Sequence, residues 1–504
     1  MLKNILQVLE NTAEKFSNKI VFGDSKRNIS YKDFVRSSRT IGSYIINKIN
    51  KTHSPIVIFV DKSVNCLKCM MGVLYSGNFY TIIDVNSPEE RAKNIINTLN
   101  PTIVIYDEKN VGKLNKLGLD NIQKVLYEDA IKAEIDTKKL NEIRDEQIDT
   151  DPVYVLFTSG STGIPKGTVV NHKAVISYIN WVKDTFKIDE NTVFGSQTPF
   201  YFSMSITDVF TTILTGATLY IIPKMCFSFP IKLIEYMNEK KINTIYWVPS
   251  ALCIVANLGA LENVDLPYLQ KILFAGEVMP IKCLNMWIEK VHNCLYANLF
   301  GPTETTDICS YYIVDRKFEN NETLPIGKHC DNCNLIVLNE DGQEANIGEQ
   351  GELLVRGSFL ASGYYANLEK TKEVFVQNPL NKNYPEIVYK TGDIVKYNEQ
   401  GELLYISRKD YQIKHLGYRI ELGEIEKNIY GIDGVVLCAC IYDNDNDKIV
   451  LFYQGNIEEE KIAKEANSKL LSYMRPNKYI KLDTMPYNSN GKIDRKKLKL
   501  EIGG

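Results

Sequence analysis

The stretch Tyr154-Val-Leu-Phe-Thr-Ser-Gly-Ser-Thr-Gly-Ile-Pro-Lys-Gly167 decides how this chain is read. Its apolar start, Tyr154 to Phe157, predicts a buried strand. From Thr158 to Gly167 the residues become small and polar, with three glycines, four hydroxyl side chains and one lysine, Lys166. Glycines let a backbone approach a ligand closely, and successive N–H groups then form a cradle for an anion. The hydroxyls add donors, and the lysine adds a mobile charge suited to a polyphosphate. A Ser/Gly-rich surface linker is the competing reading. The strand leading in and the lysine near the end favour a phosphate loop. A Walker A motif needs Gly-Lys-Ser/Thr opening into a helix. Here Lys166 is followed by Gly167, Thr168 and two valines, so the motif is a different one.

Further segments stand along the chain. They are Asn298-Leu-Phe-Gly-Pro-Thr-Glu-Thr-Thr306, Gly351-Glu-Leu-Leu-Val-Arg-Gly357, Tyr389-Lys-Thr-Gly-Asp393, the run Arg408 to Glu421, and Asn490-Gly-Lys-Ile-Asp-Arg495. Near the N-terminus stand Ile29-Ser-Tyr-Lys-Asp33 and Gly77-Asn-Phe-Tyr-Thr-Ile-Ile-Asp84. In this order the segments resemble the signatures of the adenylate-forming (ANL) ligases, and the resemblance spans nearly the whole chain. The run Tyr411-Gln-Ile-Lys-His-Leu-Gly-Tyr-Arg-Ile-Glu421 is similar to the stand-alone peptide-synthetase adenylation domains and the D-alanine–carrier protein ligases.

Composition agrees with a globular enzyme. At 504 residues the chain is too long for one compact core, so more than one domain is expected. A net charge of −3 gives no basic footprint for nucleic acid. No apolar run approaches the ~20 residues that span a bilayer, so no membrane partner is expected. The start, Met1-Leu-Lys-Asn-Ile-Leu-Gln-Val-Leu-Glu10, reads as an amphipathic helix, not a signal peptide. With eleven cysteines, an odd number, reduced thiols and a cytoplasmic location are expected. The pairs Cys66/Cys69 and Cys330/Cys333 could supply four zinc thiolates. The apolar setting of the first pair and the buried habit of cysteine favour core positions. His172, after the phosphate loop, reads as a packing or capping residue.

Strands and helices alternate, as in doubly wound α/β folds. Ser54–Val60, Thr102–Tyr106 and Ile242–Trp247 read as strands and Val64–Ser76 as a helix. Beyond about Asp410 the pattern changes. It reads helix Gly423–Tyr430, strands Val435–Tyr442 and Lys448–Tyr453, then helix Ile457–Ser472. The fold class is therefore α/β, and the resemblance implies a large N-terminal domain of layered sheets flanked by helices with a small mobile α+β domain after it. The expected boundaries are 1–408 for the ATP- and acid-binding domain and 409–504 for the catalytic lid. The sequence ends at Gly504, soon after Arg495, so no fused carrier domain is expected.

The resemblance implies a chemistry: a carboxylate attacks the α-phosphate of ATP, giving acyl-AMP and pyrophosphate. Thr158, Ser159, Gly160, Ser161, Thr162, Gly163 and Lys166 would hold the phosphates, and Glu304 would hold Mg²⁺. Phe300, Gly301 and Thr303 belong to the second nucleotide motif, with Phe300 stacked on adenine. Asp393 would take the ribose hydroxyls, assisted by Arg408. Lys492 would bridge the acid and the α-phosphate. Asp410 occupies the hinge about which the lid swings to admit the phosphopantetheine thiol of a separate carrier protein.

The acid pocket departs from the family pattern. Ligases of α-amino acids resemble one another at Phe-Asp-x-Ser, whose Asp binds the ammonium. Here Phe202 is followed by Ser203. The other matching positions are Met204, Thr207, Tyr246, Leu273, Ala275, Leu299, Asp307 and Ile308, a slot with apolar walls, one phenol and one acid. Tyr246, Ala275 and Asp307 resemble members that activate para-substituted benzoates, so 4-hydroxybenzoate or 4-aminobenzoate is expected. The alternatives are a D-alanine or β-amino acid ligase, with the amine on Asp307 or Asp208, and a catalytically dead nucleotide-binding regulator. The presence of Lys166, Glu304, Asp393 and Lys492 argues against the regulator.

Overall fold

The computed structural model describes residues 2–160, 165–319, 322–409, 412–444, 446–487 and 493–502. The chain divides into two compact units. The first comprises Met1–Val85, Thr98–Leu156 and Gly167–Ser407; the second comprises Asn86–Asn97, Phe157–Lys166 and Arg408–Gly504.

In the first unit, runs of apolar residues become buried parallel strands. Every residue of the strand Pro55–Phe59 is buried, as expected when helices cover both faces of a parallel sheet. It pairs in parallel with Phe79–Ile82 and Ile103–Tyr106. The helix Val64–Tyr75 comes between them, started by Ser63, whose side chain accepts from the Cys66 N–H. Cys66 and Cys69 lie buried on this helix. The N-terminal helix runs Ile5–Lys15, capped by Asn4, and buries Ile5, Leu6, Val8, Leu9, Thr12 and Ala13.

Among the described residues, the seven-stranded sheet has the order Gly363–Tyr364, Lys166–Asn171, Pro152–Thr158, Phe79–Ile82, Pro55–Phe59, Ile103–Tyr106, Gln123–Leu126. The predicted strand Tyr154–Phe157 is thus the middle of Pro152–Thr158. Past the loop the chain enters another strand, Lys166–Asn171, where a Walker A motif would open a helix. A nine-stranded sheet carries, in neighbouring positions, Thr244–Trp247, Lys271–Ala275, Leu295–Phe300 and Ser310–Ile313. A third sheet joins Cys333–Leu338, Gln350–Gly357, Ile387–Tyr397, Phe375–Gln377 and Leu403–Arg408.

In the second unit, the hairpin Gln412–His415/Tyr418–Glu421 precedes the helix Leu422–Tyr430. Strands Val435–Asp443 and Lys448–Gly455 pair antiparallel, and Lys478–Lys481 joins in parallel. The last predicted helix is shorter than its sequence pattern. It spans Glu459–Lys469, and a 3₁₀ turn occupies Ser472–Met474. Leu470 turns to extended backbone at φ −104°, ψ 144°, and buries its side chain with Met474 in the core of this unit. No helix among the described residues is long and apolar enough to cross a membrane.

Candidate active site

Tyr246, Leu273, Ala275 and Leu299, expected to line the acid pocket, share one sheet face because their strands run parallel and in register. Tyr246 stands beside Leu273, and Ala275 stands beside Leu299. Leu273 and Ala275 are two residues apart, so their side chains leave the same face. All four are buried. Thr207 comes from the helix Met204–Thr215, and Ser203 sits one residue before it. Phe202, half-buried, packs its ring 5.2 Å from that of Tyr201.

The turn between Leu295–Phe300 and Ser310–Ile313 delivers the polar members. Gly301 is required there by space: a Cβ would stand 2.4 Å from the Asp307 carbonyl oxygen and 2.5 Å from Ile308 Cα. Thr303–Glu304–Thr305 form a short 3₁₀ turn. Thr306 then takes φ 67°, ψ −54°, and the Asp307 N–H donates back to the Thr305 carbonyl at 2.8 Å. That is a γ-turn of the strained, positive-φ kind. The Thr306 hydroxyl anchors it on the Phe359 carbonyl at 2.8 Å.

Asp307 is 2% exposed and its Oδ2 accepts from Thr207 (2.8 Å), Tyr178 (3.0 Å) and Tyr246 (3.1 Å). Burial pushes its carboxyl up to about 6, against the pull of these hydroxyls and that of Ser203. The Ser203 hydroxyl also meets Thr303, at 3.3 Å. Ile308, buried beside Asp307, completes the wall. Asp208 has a different charged neighbour. It is buried and its pKa is raised by burial, with Lys62 as the opposing charge.

Glu304 is fully buried, and the Tyr364 hydroxyl donates to its Oε1 at 2.6 Å. No group of three or more His, Cys, Asp or Glu side chains with metal-binding proximity occurs among the described residues. The donor set at Glu304 is one carboxylate, which fits a magnesium ion that takes its remaining ligands from water and phosphate oxygens. The Phe300 ring lies 5.8 Å from that of Tyr405. Asp393, buried in the strand Ile387–Tyr397, has its N–H bonded to the Thr391 hydroxyl at 2.9 Å.

In the second unit, the Ser159 hydroxyl donates to the Arg419 carbonyl at 2.9 Å. Thr158 Oγ1, at the end of its strand, is buried with no hydrogen-bond partner among the described residues. Such an orphan next to Ser159 and Gly160 suits a site that a ligand completes. Arg91 and Glu424 form an ion pair in which both side chains are nearly buried. Lys166 begins the strand Lys166–Asn171, and Arg408 ends Leu403–Arg408. Ser161, Thr162, Gly163, Asp410 and Lys492 lie outside the described residues.

Tyr178 and Tyr364 escape a motif-based reading. Tyr178 had a detectable signal. Buried residues Ala174, Val175, Tyr178, Ile179, Val182 and Phe186 keep a helical period on His172–Phe186. A tyrosine on such an apolar stripe needs a polar partner for its hydroxyl. His172 heads the helix, buried, and its Nδ1 accepts from the Ile5 N–H at 3.2 Å. Cys330 and Cys333 direct their thiols to the carbonyls of Ile308 and Cys309, at 3.7 and 3.6 Å.

Comparison with known proteins finds the AMP-binding enzyme family over residues 9–365. The chain is 29% identical over 502 residues to tyrocidine synthase 1 of Brevibacillus parabrevis, covering 98% of this chain and 45% of that protein. It is 28% identical over 512 residues to the D-alanine–D-alanyl carrier protein ligase of Bacillus cereus (strain G9842), covering 99% of each. The chain therefore spans less than half of the first relative and nearly all of the second. Among solved structures, it is similar to the Vibrio cholerae adenylation domain AlmE in complex with glycyl-adenosine-5′-phosphate. The TM-score is 0.85 at 18% identity, covering 100% of this chain and 98% of that one. The likeness to AlmE is one of fold.

Proposed function

The chain belongs to the AMP-binding enzymes, and from that premise we propose that it activates a small carboxylic acid with ATP and passes the acyl group to the phosphopantetheine thiol of a carrier protein. In the first half-reaction a carboxylate oxygen of the acid bonds to the α-phosphorus of ATP, and pyrophosphate leaves. In the second the thiol sulfur bonds to the acyl carbon, AMP leaves, and the thiol proton passes to solvent.

The developing charge on the phosphates needs fixed donors and cations. The segment Thr158–Gly167, with Lys166, supplies them in this reading, and Phe300 and Asp393 bind the nucleoside with help from Arg408. Glu304 is the carboxylate for a magnesium ion, whose chemistry is to neutralise phosphate charge. Lys492 acts in the first step only, and the lid, 409–504, turns about Asp410 for the second. A relative that matches over nearly its whole length is a carrier protein ligase, which supports a separate carrier as acceptor.

The observation that carries the choice of acid is the buried Asp307 carboxylate, surrounded by hydroxyls on an apolar face. A buried carboxylate calls for a donor. A flat acid with a polar far end, 4-hydroxybenzoate or 4-aminobenzoate, brings one into the slot. The second reading is an amino acid whose ammonium sits on Asp307, and the same carboxylate favours it. Acid-dependent exchange of labelled pyrophosphate into ATP separates the two. The panel is 4-hydroxybenzoate, 4-aminobenzoate, benzoate, D-alanine, L-alanine and β-alanine. The first reading expects the para-substituted benzoates to lead and benzoate to trail. It fails if an amino acid outcompetes every benzoate, and exchange with no acid at all would sink both readings.

A further inference from the structure

We propose that Tyr178 is a positioning residue for acid recognition: its phenol fixes the Asp307 carboxylate that reads the far end of the acid. The inference rests on the role given to Asp307 above and adds a residue from outside the sheet and the turn.

Tyr178 is fully buried on the helix His172–Phe186. Its ring packs against Trp181, with centroids 5.6 Å apart, and against Phe359, at 5.9 Å and nearly edge-on. Full burial and packing against both rings restrict where the hydroxyl can be. There it meets Thr207 at 2.7 Å and Asp307 at 3.0 Å. The contacts close a loop. Phe359, which packs on the Tyr178 ring, also supplies the carbonyl that anchors Thr306, and Thr306 carries the strained turn into Asp307. A strained turn persists only where its surroundings over-determine it. Tyr178 bonds the Asp307 end of this one and packs on Phe359, which anchors its middle residue.

Counting hydrogens shows how the grip can adapt. Tyr178, Thr207 and Tyr246 bring three hydroxyl hydrogens to four short oxygen–oxygen contacts. Tyr178 and Thr207 can therefore turn their hydrogens toward each other or toward Asp307. A donor arriving on the acid is met without moving a heavy atom, which is preorganisation. Asp208, Tyr154 and the Cys330 thiol also feel the charge of Asp307.

The test is Tyr178→Phe, which keeps the ring packing and removes one oxygen. Exchange is measured on two pairs that differ by one donor group, 4-hydroxybenzoate against benzoate and β-alanine against propionate. Asp307→Asn run alongside shows which pair the wild-type enzyme reads through Asp307. For that pair the preference in kcat/KM falls about tenfold in Tyr178→Phe, carried by KM with kcat retained. The Asp307 carboxyl, followed by ¹³C NMR of labelled aspartate and assigned with the Asp307→Asn protein, titrates higher than in the wild type. An unchanged preference where Asp307→Asn does lose it overturns the proposal. So does an equal fall for both acids of the pair. If Asp307→Asn changes neither pair, the reading of Asp307 fails, and an unshifted carboxyl titration in Tyr178→Phe then overturns this proposal on its own.

Discussion

Gly301→Ala separates space from backbone freedom. A glycine-to-alanine change that fits the native backbone stabilises by about 0.4–1 kcal/mol, because the unfolded chain loses freedom. Gly301 has no positive φ to forbid alanine. Its difficulty is contact: the new Cβ would meet Asp307 O at 2.4 Å, Ile308 Cα at 2.5 Å and Cys309 N at 2.7 Å. All three are backbone atoms, so no side chain can swing aside. Ordinary contact begins at 3.4 Å, so the turn must retreat by about 1 Å, and forced packing of this kind costs about 1–3 kcal/mol. The sign of the stability change therefore reverses. The retreat also carries Glu304 and Asp307 off position, where an error of about 1 Å costs about 100-fold in rate. Gly112, in the short helix Val111–Asn115, is the control, with nothing within 4 Å of its would-be Cβ. Urea unfolding reports on the right unit through tryptophan fluorescence, since Trp181, Trp247 and Trp287 all lie in the first unit. Gly112→Ala should raise the midpoint and leave pyrophosphate exchange unchanged; Gly301→Ala should lower both. Equal behaviour of the two variants would refute the steric argument.

Four further outcomes are expected. Lys492→Ala should slow acyl-AMP formation by about 10²–10³ while sparing thiol transfer from preformed acyl-AMP; equal loss in both half-reactions removes its special role. Asp410→Pro, which fixes φ at the proposed hinge, should retain exchange and lose carrier loading, and wild-type loading would place the hinge elsewhere. Asp307, raised to about 6 by burial, is ionised above that pH and protonated below it. The KM of a donor-bearing acid should therefore rise as pH falls through 6 in the wild type and stay flat in Asp307→Asn. His172, lowered to about 3 by burial, is neutral in the folded protein. A depressed folded pKa gives stability that is present above the unfolded value of about 6.5 and lost as pH falls toward 3, so urea midpoints of His172→Gln should fall less steeply over that window.

The large elements were legible because each arises from a short-range pattern. An apolar run closed by glycines and hydroxyls reads as a strand meeting a loop, and Pro152–Thr158 is that strand. The shared face of Tyr246, Leu273, Ala275 and Leu299 was legible for the same reason, since a period of two along Leu273 and Ala275 survives alignment to neighbouring strands. The helix ending at Lys469 was not, because its helical pattern continues past the point where Leu470 finds a better burial in extended backbone. Tyr178 and Tyr364 were hidden by distance: they reach partners 129 and 60 residues away. No local pattern encodes such a pairing. The only local sign is a hydroxyl on an apolar stripe, which says that a partner exists without saying which.

Two features of the turn are hard to explain in an unliganded protein and make sense once a ligand is admitted. The γ-turn at Thr306 stores strain, of order 1–3 kcal/mol for a backbone in so sparse a region. The carboxylate it delivers is buried among neutral hydroxyls, and desolvation outweighs their help enough to lift its pKa. Neither the strained backbone nor the burial of that charge favours folding. In the proposed reading, both costs are offset by a donor on the acid, which would share the carboxylate's charge and use the position that the strained turn, Gly301 and the three hydroxyls hold ready. In that reading the same arrangement penalises an acid lacking the donor, because its binding leaves the charged carboxylate buried with neutral hydroxyls as its donors. A site built to bond a polar group rejects the analogue without it by up to about 10⁴-fold. Recognition at this site is therefore expected to work mainly by exclusion.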